Sequence, residues 1–195
     1  MKWIFIIVLF TACTNKQGAS LLVSVESSDP NLLFNNGSWF YKGKLFSGKL
    51  TERYPDQKVH HVTSFFDGKE NGWQESFFND GSISEKRFYT NGEKDGINTG
   101  WWPNGNKRFE YQFSKGIYSG DFKEWFEDGK EYKYIYYVNG NDQWGKGWRE
   151  SGKLFMNYQV KDGRRYGIVN SNLCYTVKNG NGEYVASIPD SSKTN

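Results

Sequence analysis

The chain has 195 residues, 18% of them aromatic (8 Trp, 13 Tyr, 15 Phe), with 22 Gly and only 4 Pro. That profile excludes a helical bundle, which draws on Leu, Ala and Glu, and a disordered chain, which is poor in rings. The net charge is +3 with Lys and Arg interspersed among Asp and Glu, so no basic stripe for nucleic acid is present.

In chain order, Met1-Lys2 is a minimal positive segment, and Ile4 to Phe10 is an unbroken apolar run. Such a run suits a secretory signal and falls far short of the roughly 18 residues of a membrane-spanning helix. Thr11-Ala12-Cys13 follows, and the segment resembles a bacterial lipoprotein signal peptide, where small residues precede a lipid-bearing Cys. The resemblance implies loss of residues 1–12, acylation of Cys13 and an anchor in the cell envelope, stable because several acyl chains act together. Thr14 stands where inner-membrane retention in some bacteria uses Asp, which favours the outer membrane. Residues 13–36 are polar and Ser-rich and are expected to form the lipidated tether, Leu32-Leu33-Phe34 beginning the folded body. With Cys13 acylated, Cys174 has no intramolecular partner and reads as a small buried strand residue between Leu173 and Tyr175.

A repeat then governs residues 37–167. Glycines recur at Gly43, Gly68, Gly92, Gly116, Gly140 and Gly163, at intervals of 25, 24, 24, 24 and 23. A second series runs Gly48, Gly72, Gly96, Gly120 and Gly167. A third runs Gly81, Gly105, Gly129 and Gly152, with Gln57 in its first place. The period is 24. The third series sits in Asn-Asp-Gly, Pro-Asn-Gly and Glu-Asp-Gly contexts, which predicts two-residue hairpin turns with positive φ at both central residues. The first series is expected to behave likewise at a wider turn. Between turns, Phe109, Tyr111 and Phe113 alternate with Glu110 and Gln112, as on a strand with one buried face. The preceding strand ends in adjacent rings, Phe77-Phe78, Trp101-Trp102 and Trp125-Phe126. The expected fold is all-β: an elongated antiparallel β-meander of about five 24-residue hairpins in a single twisted sheet. A C-terminal hairpin over 168–188 is expected to cap it, and 189–195 is a polar tail.

The run of Gly, aromatic strand, Asn/Asp-Gly turn, aromatic strand and Gly-x-x-x-Gly, as in Gly72 through Gly81 to Gly92 and Gly96, resembles the bacterial variant of MORN repeats. Chains of this kind are often labelled YwqK-type antitoxins. The resemblance covers roughly residues 37–167 and implies one hairpin per repeat; it carries almost nothing about chemistry.

Groups suited to catalysis or metal binding are few in the sequence. His60-His61 are the only histidines, and as strand neighbours they are expected on opposite faces, poor geometry for one ion, so no metal site is expected. Asp121 and Glu124 read as surface carboxylates. No nucleophile elbow or phosphate loop is present, so neither an enzyme nor a cofactor is expected. What remains is surface. Phe77, Trp101, Trp125 and Trp148 recur four residues before the third-series turn position, a ladder expected to be mostly core, with Trp101 and Trp102 its best candidates for a binding face. The expected function is a noncatalytic, lipid-anchored binding or scaffold module with a protein partner. An antitoxin or immunity protein and a glycan binder are the alternatives, and nucleic acid is not an expected partner.

Overall fold

The computed structural model describes residues 23–169 and the short strand pairs 177–178 and 184–185. The expected signal peptide 1–12, lipidated Cys13, Cys174 and the tail 189–195 lie outside the described residues. The described fold is all-β. Its strands are β1 (Val23–Glu26), β2 (Leu32–Asn35), β3 (Ser38–Tyr41), β4 (Lys44–Leu45), β5 (Gly48–Arg53), β6 (Val59–Phe66), β7 (Lys69–Phe77), β8 (Ile83–Thr90) and β9 (Glu93–Lys94). They continue with β10 (Gly96–Trp101), β11 (Lys107–Ser114), β12 (Ile117–Trp125), β13 (Glu131–Val138), β14 (Asn141–Trp148), β15 (Leu154–Lys161), β16 (Arg164–Ile168), β17 (Val177–Lys178) and β18 (Tyr184–Val185).

From β5 to β16 each strand pairs antiparallel with the next in sequence, β9 and β10 sharing β8 as partner, in one open sheet. β1 joins the other side of β5 in parallel, Val25 opposite Leu50. The folded body therefore includes Val23–Glu26, inside the segment expected to be tether. β2, β3 and β4 form a separate small sheet. It packs on the start of the long one, where Val25, Leu32, Phe46 and Phe65 make a buried cluster against Trp39, Tyr41 and Leu50. A second layer thus covers the N-terminal end of the expected single sheet. β17 and β18 pair with each other inside the expected 168–188 hairpin.

The turn assignment is reversed in the structure. The first glycine series makes the two-residue turns: Asn91 and Gly92 have φ of 53° and 85°, and the pairs at 67–68, 115–116, 139–140 and 162–163 repeat this. Only an Asn, Asp, Lys or Gly fills these places, as the mirror-image hairpin turn requires. The third series makes three-residue turns in which the Gly alone has positive φ. There Gly105 N–H donates to Trp102 O at 2.9 Å and Trp102 N–H to Asn106 O at 2.8 Å, the pattern of a type I turn closed by a glycine bulge. The Asx residue explains the difference. Asp80, Asn104 and Asp128 each accept the backbone N–H two residues on, a local bond that holds them outside the left-handed region. Gln57 occupies the equivalent place with φ of 71°.

Both rows of turns are stapled from unit to unit. Gly92, Gly116 and Gly140 N–H groups donate to the carbonyls of Glu70, Lys94 and Tyr118 in the preceding unit. On the other edge Lys58 Nζ bonds Asn79 O, and Asn104 Nδ2 bonds Glu127 O. One face of the sheet is the core face, carrying buried Phe65, Tyr89, Phe109, Phe113, Ile135, Met156 and Tyr158. Each such ring or aliphatic chain contributes about 1.5–3 kcal/mol on full burial.

Candidate functional site

A register shift recurs beside every three-residue turn, between Glu52/Arg53, Ser76/Phe77, Gly100/Trp101, Glu124/Trp125 and Gly147/Trp148. The returning strand carries one extra residue there: His60, Ser84, Arg108, Tyr132 and Phe155 in successive units. A bulge bends the strand and re-aims the extra side chain, so that it stands beside its C-terminal neighbour rather than opposite it. This local event builds both sites described below.

In the middle of the sheet, Arg108 is the extra residue. Its guanidinium lies 5.2 Å from the Phe109 ring and 5.8 Å from the Trp102 ring, and pairs with Glu85, which also pairs with Arg87. Around these groups the core face opens into a recess of about 410 Å³, with Trp102, Trp125, Tyr132 and Phe109 among its walls. Phe109 and Tyr111 line it, stacked at 4.5 Å, and Tyr111 is backed in turn by Phe122 at 4.1 Å. Tyr111 OH donates to Glu124 Oε1 at 2.6 Å, and burial first, then that carboxylate, push the phenol well above its ordinary pKa. Glu124 also pairs with Lys133 at 3.2 Å.

Asn98 completes the recess and is 2% exposed. Its Oδ1 accepts the Phe88 N–H at 2.7 Å, which fixes the orientation of the amide. The Nδ2 group is then left buried with no hydrogen-bond partner. A stranded buried donor costs about 1–3 kcal/mol.

The expected ladder is distributed differently from the expectation. Phe77, Trp101, Trp125 and Trp148 do share one register position, just past the bulge, but each is half-buried and none belongs to the core. Trp125 lines the recess, and its carbonyl accepts Trp102 Nε1–H at 3.1 Å. Tyr54 OH makes the same unit-to-unit bond to Phe77 O at 2.8 Å. Trp148 lines a neighbouring hollow with Phe126, Tyr132 and Phe155. Phe77 and Trp101 line neither. Arg108, Tyr132, Glu85 and Asn98 were missed in the sequence. A 24-residue comparison places Asn98 in one column with Leu50, Gln74 and Phe122, where a buried Asn stands out; the bulge residues carry no such mark.

Asp121 bonds Tyr134 OH at 2.9 Å and pairs with Lys123, while Glu124 belongs to the recess, so these two carboxylates serve opposite faces.

The expectation for the histidines is overturned. His60 is the extra residue of the first bulge, and its ring centroid lies 3.8 Å from that of His61. Both rings stand on the same side. Burial, then the neighbouring His60, hold the His61 pKa below its ordinary value.

No known protein family matches the chain, and no curated protein matches it.

Proposed function

We propose that the protein is a noncatalytic binding module that holds a segment of a partner protein in the recess between β8 and β12. The observation that carries this reading is Asn98: a buried amide with a fixed orientation and an unpartnered donor, set among rings and ion pairs. A carbonyl brought by a partner would satisfy that donor once the side chains that now close it off from solvent move aside. Trp102, Trp125, Tyr132 and Arg108 are the residue types that concentrate binding energy at protein interfaces, the rings giving large contact areas at little entropic cost. Glu85 is held between the Arg87 and Arg108 guanidinium groups, so its carboxylate is already engaged within the protein, which suits recognition more than proton transfer. The lipoprotein-like start extends the proposal to a module anchored through Cys13 in a bacterial envelope, on the outer membrane. The MORN-like repeats supply its rigid scaffold, and an antitoxin or immunity role is the same proposal with a toxin met outside the cytoplasm as the partner.

Crosslinking of the anchored full chain in intact cells, with identification of what is captured, tests this. Trp102→Ala/Trp125→Ala should remove the captured protein while the domain stays folded. Each ring is half-buried, so each truncation should cost about 1–2 kcal/mol, less than the loss of a fully buried ring. A folded double variant that still captures every partner overturns the proposal, and capture of a glycan alone replaces the partner class.

A further inference from the structure

We infer that Glu52, His60 and His61 form a binding site for one divalent transition-metal ion of the zinc class. One ring nitrogen of each imidazole and one carboxylate oxygen of Glu52 lie within 4.8 Å of one another. The arrangement follows from the bulge between β5 and β6. Glu52 is paired with His61 and Arg53 with Val59, which leaves His60 as the extra residue. Without the bulge, consecutive strand residues would stand on opposite faces, and the two rings could not meet one ion.

The surroundings orient both rings. His61 Nδ1 and Ser76 Oγ are 2.7 Å apart, and Ser76 is itself 6% exposed. With Nδ1–H donating to that hydroxyl, the lone pair sits on Nε2, available to a metal. A ligating histidine is held in this way by a hydrogen bond from its other nitrogen, which fixes tautomer and ring plane. His60 is braced by the Tyr54 ring at 4.3 Å, and Tyr54 is pinned by its bond to Phe77 O. The rings are half-buried and Glu52 is exposed, so an ion can enter and the acid can swing to meet it.

The donor set selects the ion. Two imidazoles and one carboxylate match zinc and its neighbours, whereas Ca²⁺ and Mg²⁺ require oxygen ligands. Bonds of about 2.0–2.1 Å to one tetrahedral ion place ligand atoms about 3.3 Å from each other, so modest side-chain rotations close the present spacing. Three protein ligands leave a fourth position open to water or to a donor from a partner. The site lies in the same cross-strand row as the recess: His61 is paired with Ser76, and Ser76 with Glu85. Two strand spacings, roughly 9–10 Å, separate His61 from Glu85.

The test is calorimetric titration of the untagged full chain, in detergent, with Zn²⁺ alone. One saturable equivalent is expected, with none for Ca²⁺ or Mg²⁺. His60→Gln and His61→Gln should each abolish that equivalent, and Ser76→Ala should weaken it roughly 10–100-fold through loss of ring orientation. His60→Phe preserves the packing on Tyr54 and separates ligand loss from misfolding; it should fold and not bind. Co²⁺ in place of Zn²⁺ should give the intense visible absorption of a four-coordinate ion with nitrogen ligands. Absence of a stoichiometric equivalent in the wild type overturns the inference, as does zinc binding that survives in folded His60→Phe or in the His61→Gln variant.

Discussion

The first repeat unit and the third place different chemistry on one backbone. The column that holds Phe109 and Tyr111 in the third unit holds His61 and Thr63 in the first, at identical register positions. In the third unit Phe109 stacks on Tyr111 and Tyr111 on Phe122, and the first two rings line a recess. In the first, His61 and Thr63 make that column polar, and burial comes from elsewhere: Leu32 of β2 and Phe46, just after β4, pack with Phe65 and Val25. The repeat therefore fixes turns, bulges and register through its glycines and leaves the core-face columns open to differ. Where a column turns polar, the structure adds either a covering layer or a site.

This contrast predicts unequal costs for equivalent truncations. Phe109 is 7% exposed, and Phe109→Ala should lose about 3–5 kcal/mol, since a ring-sized cavity opens among Tyr111 and Arg108. His61→Ala, in the same column, removes one hydrogen bond and a half-buried ring, and should cost about 1 kcal/mol in metal-free protein. Urea melts of the two variants measure both. Equal losses would mean that the first unit relies on its core face as heavily as the third.

A smaller effect is expected at the turns. Gly105 has φ of 85°, and a Cβ added there meets nothing within 4 Å. Any loss in Gly105→Val is therefore conformational rather than steric, and should be about 1–3 kcal/mol, seen as a lower melting temperature. An unchanged melting temperature would show that the bulge closing this turn can rearrange at no cost.

The long sheet was legible because its signals are local. Asn91-Gly92 and Asn104-Gly105 mark turns whatever else the chain does, and the alternation of Phe109, Tyr111 and Phe113 marks one strand face. The kind of turn was not legible from dipeptides alone: Asn104 bonds the N–H of Asn106 and stays out of the left-handed region that Asn91 enters. The sites were hidden for a related reason. A rule of strict alternation sends His60 and His61 to opposite faces and gives Arg108 no reason to meet Glu85. A one-residue bulge reverses both statements, and nothing in the residues at 60 or 108 announces it. The tether boundary failed for another reason, since the pairing of Val25 with Leu50 is parallel and bridges 25 residues that include a separate small sheet.

The smallest expected effect separates the first unit from the others at their turns. Gln57 holds φ of 71° in the place where Gly81, Gly105, Gly129 and Gly152 stand. A left-handed conformation costs an ordinary residue about 1–2 kcal/mol, because its Cβ crowds the following carbonyl. The Gln57 N–H still donates to Tyr54 O at 2.9 Å, and the Arg53 guanidinium bonds the Gln57 carbonyl at 3.0 Å, so the backbone is held in place at that cost. Gln57→Gly removes the crowding but gives the unfolded chain more freedom, which takes back about 0.4–1 kcal/mol. The net should be a gain of about 0.5–1 kcal/mol, read as a small rise in melting temperature with the zinc equivalent intact, since the substitution leaves the His60 bulge alone. A fall in stability would show that the Gln57 side chain, and not only its backbone, supports the first turn, and the first unit would then differ from the third in its turn as well as in its core-face column.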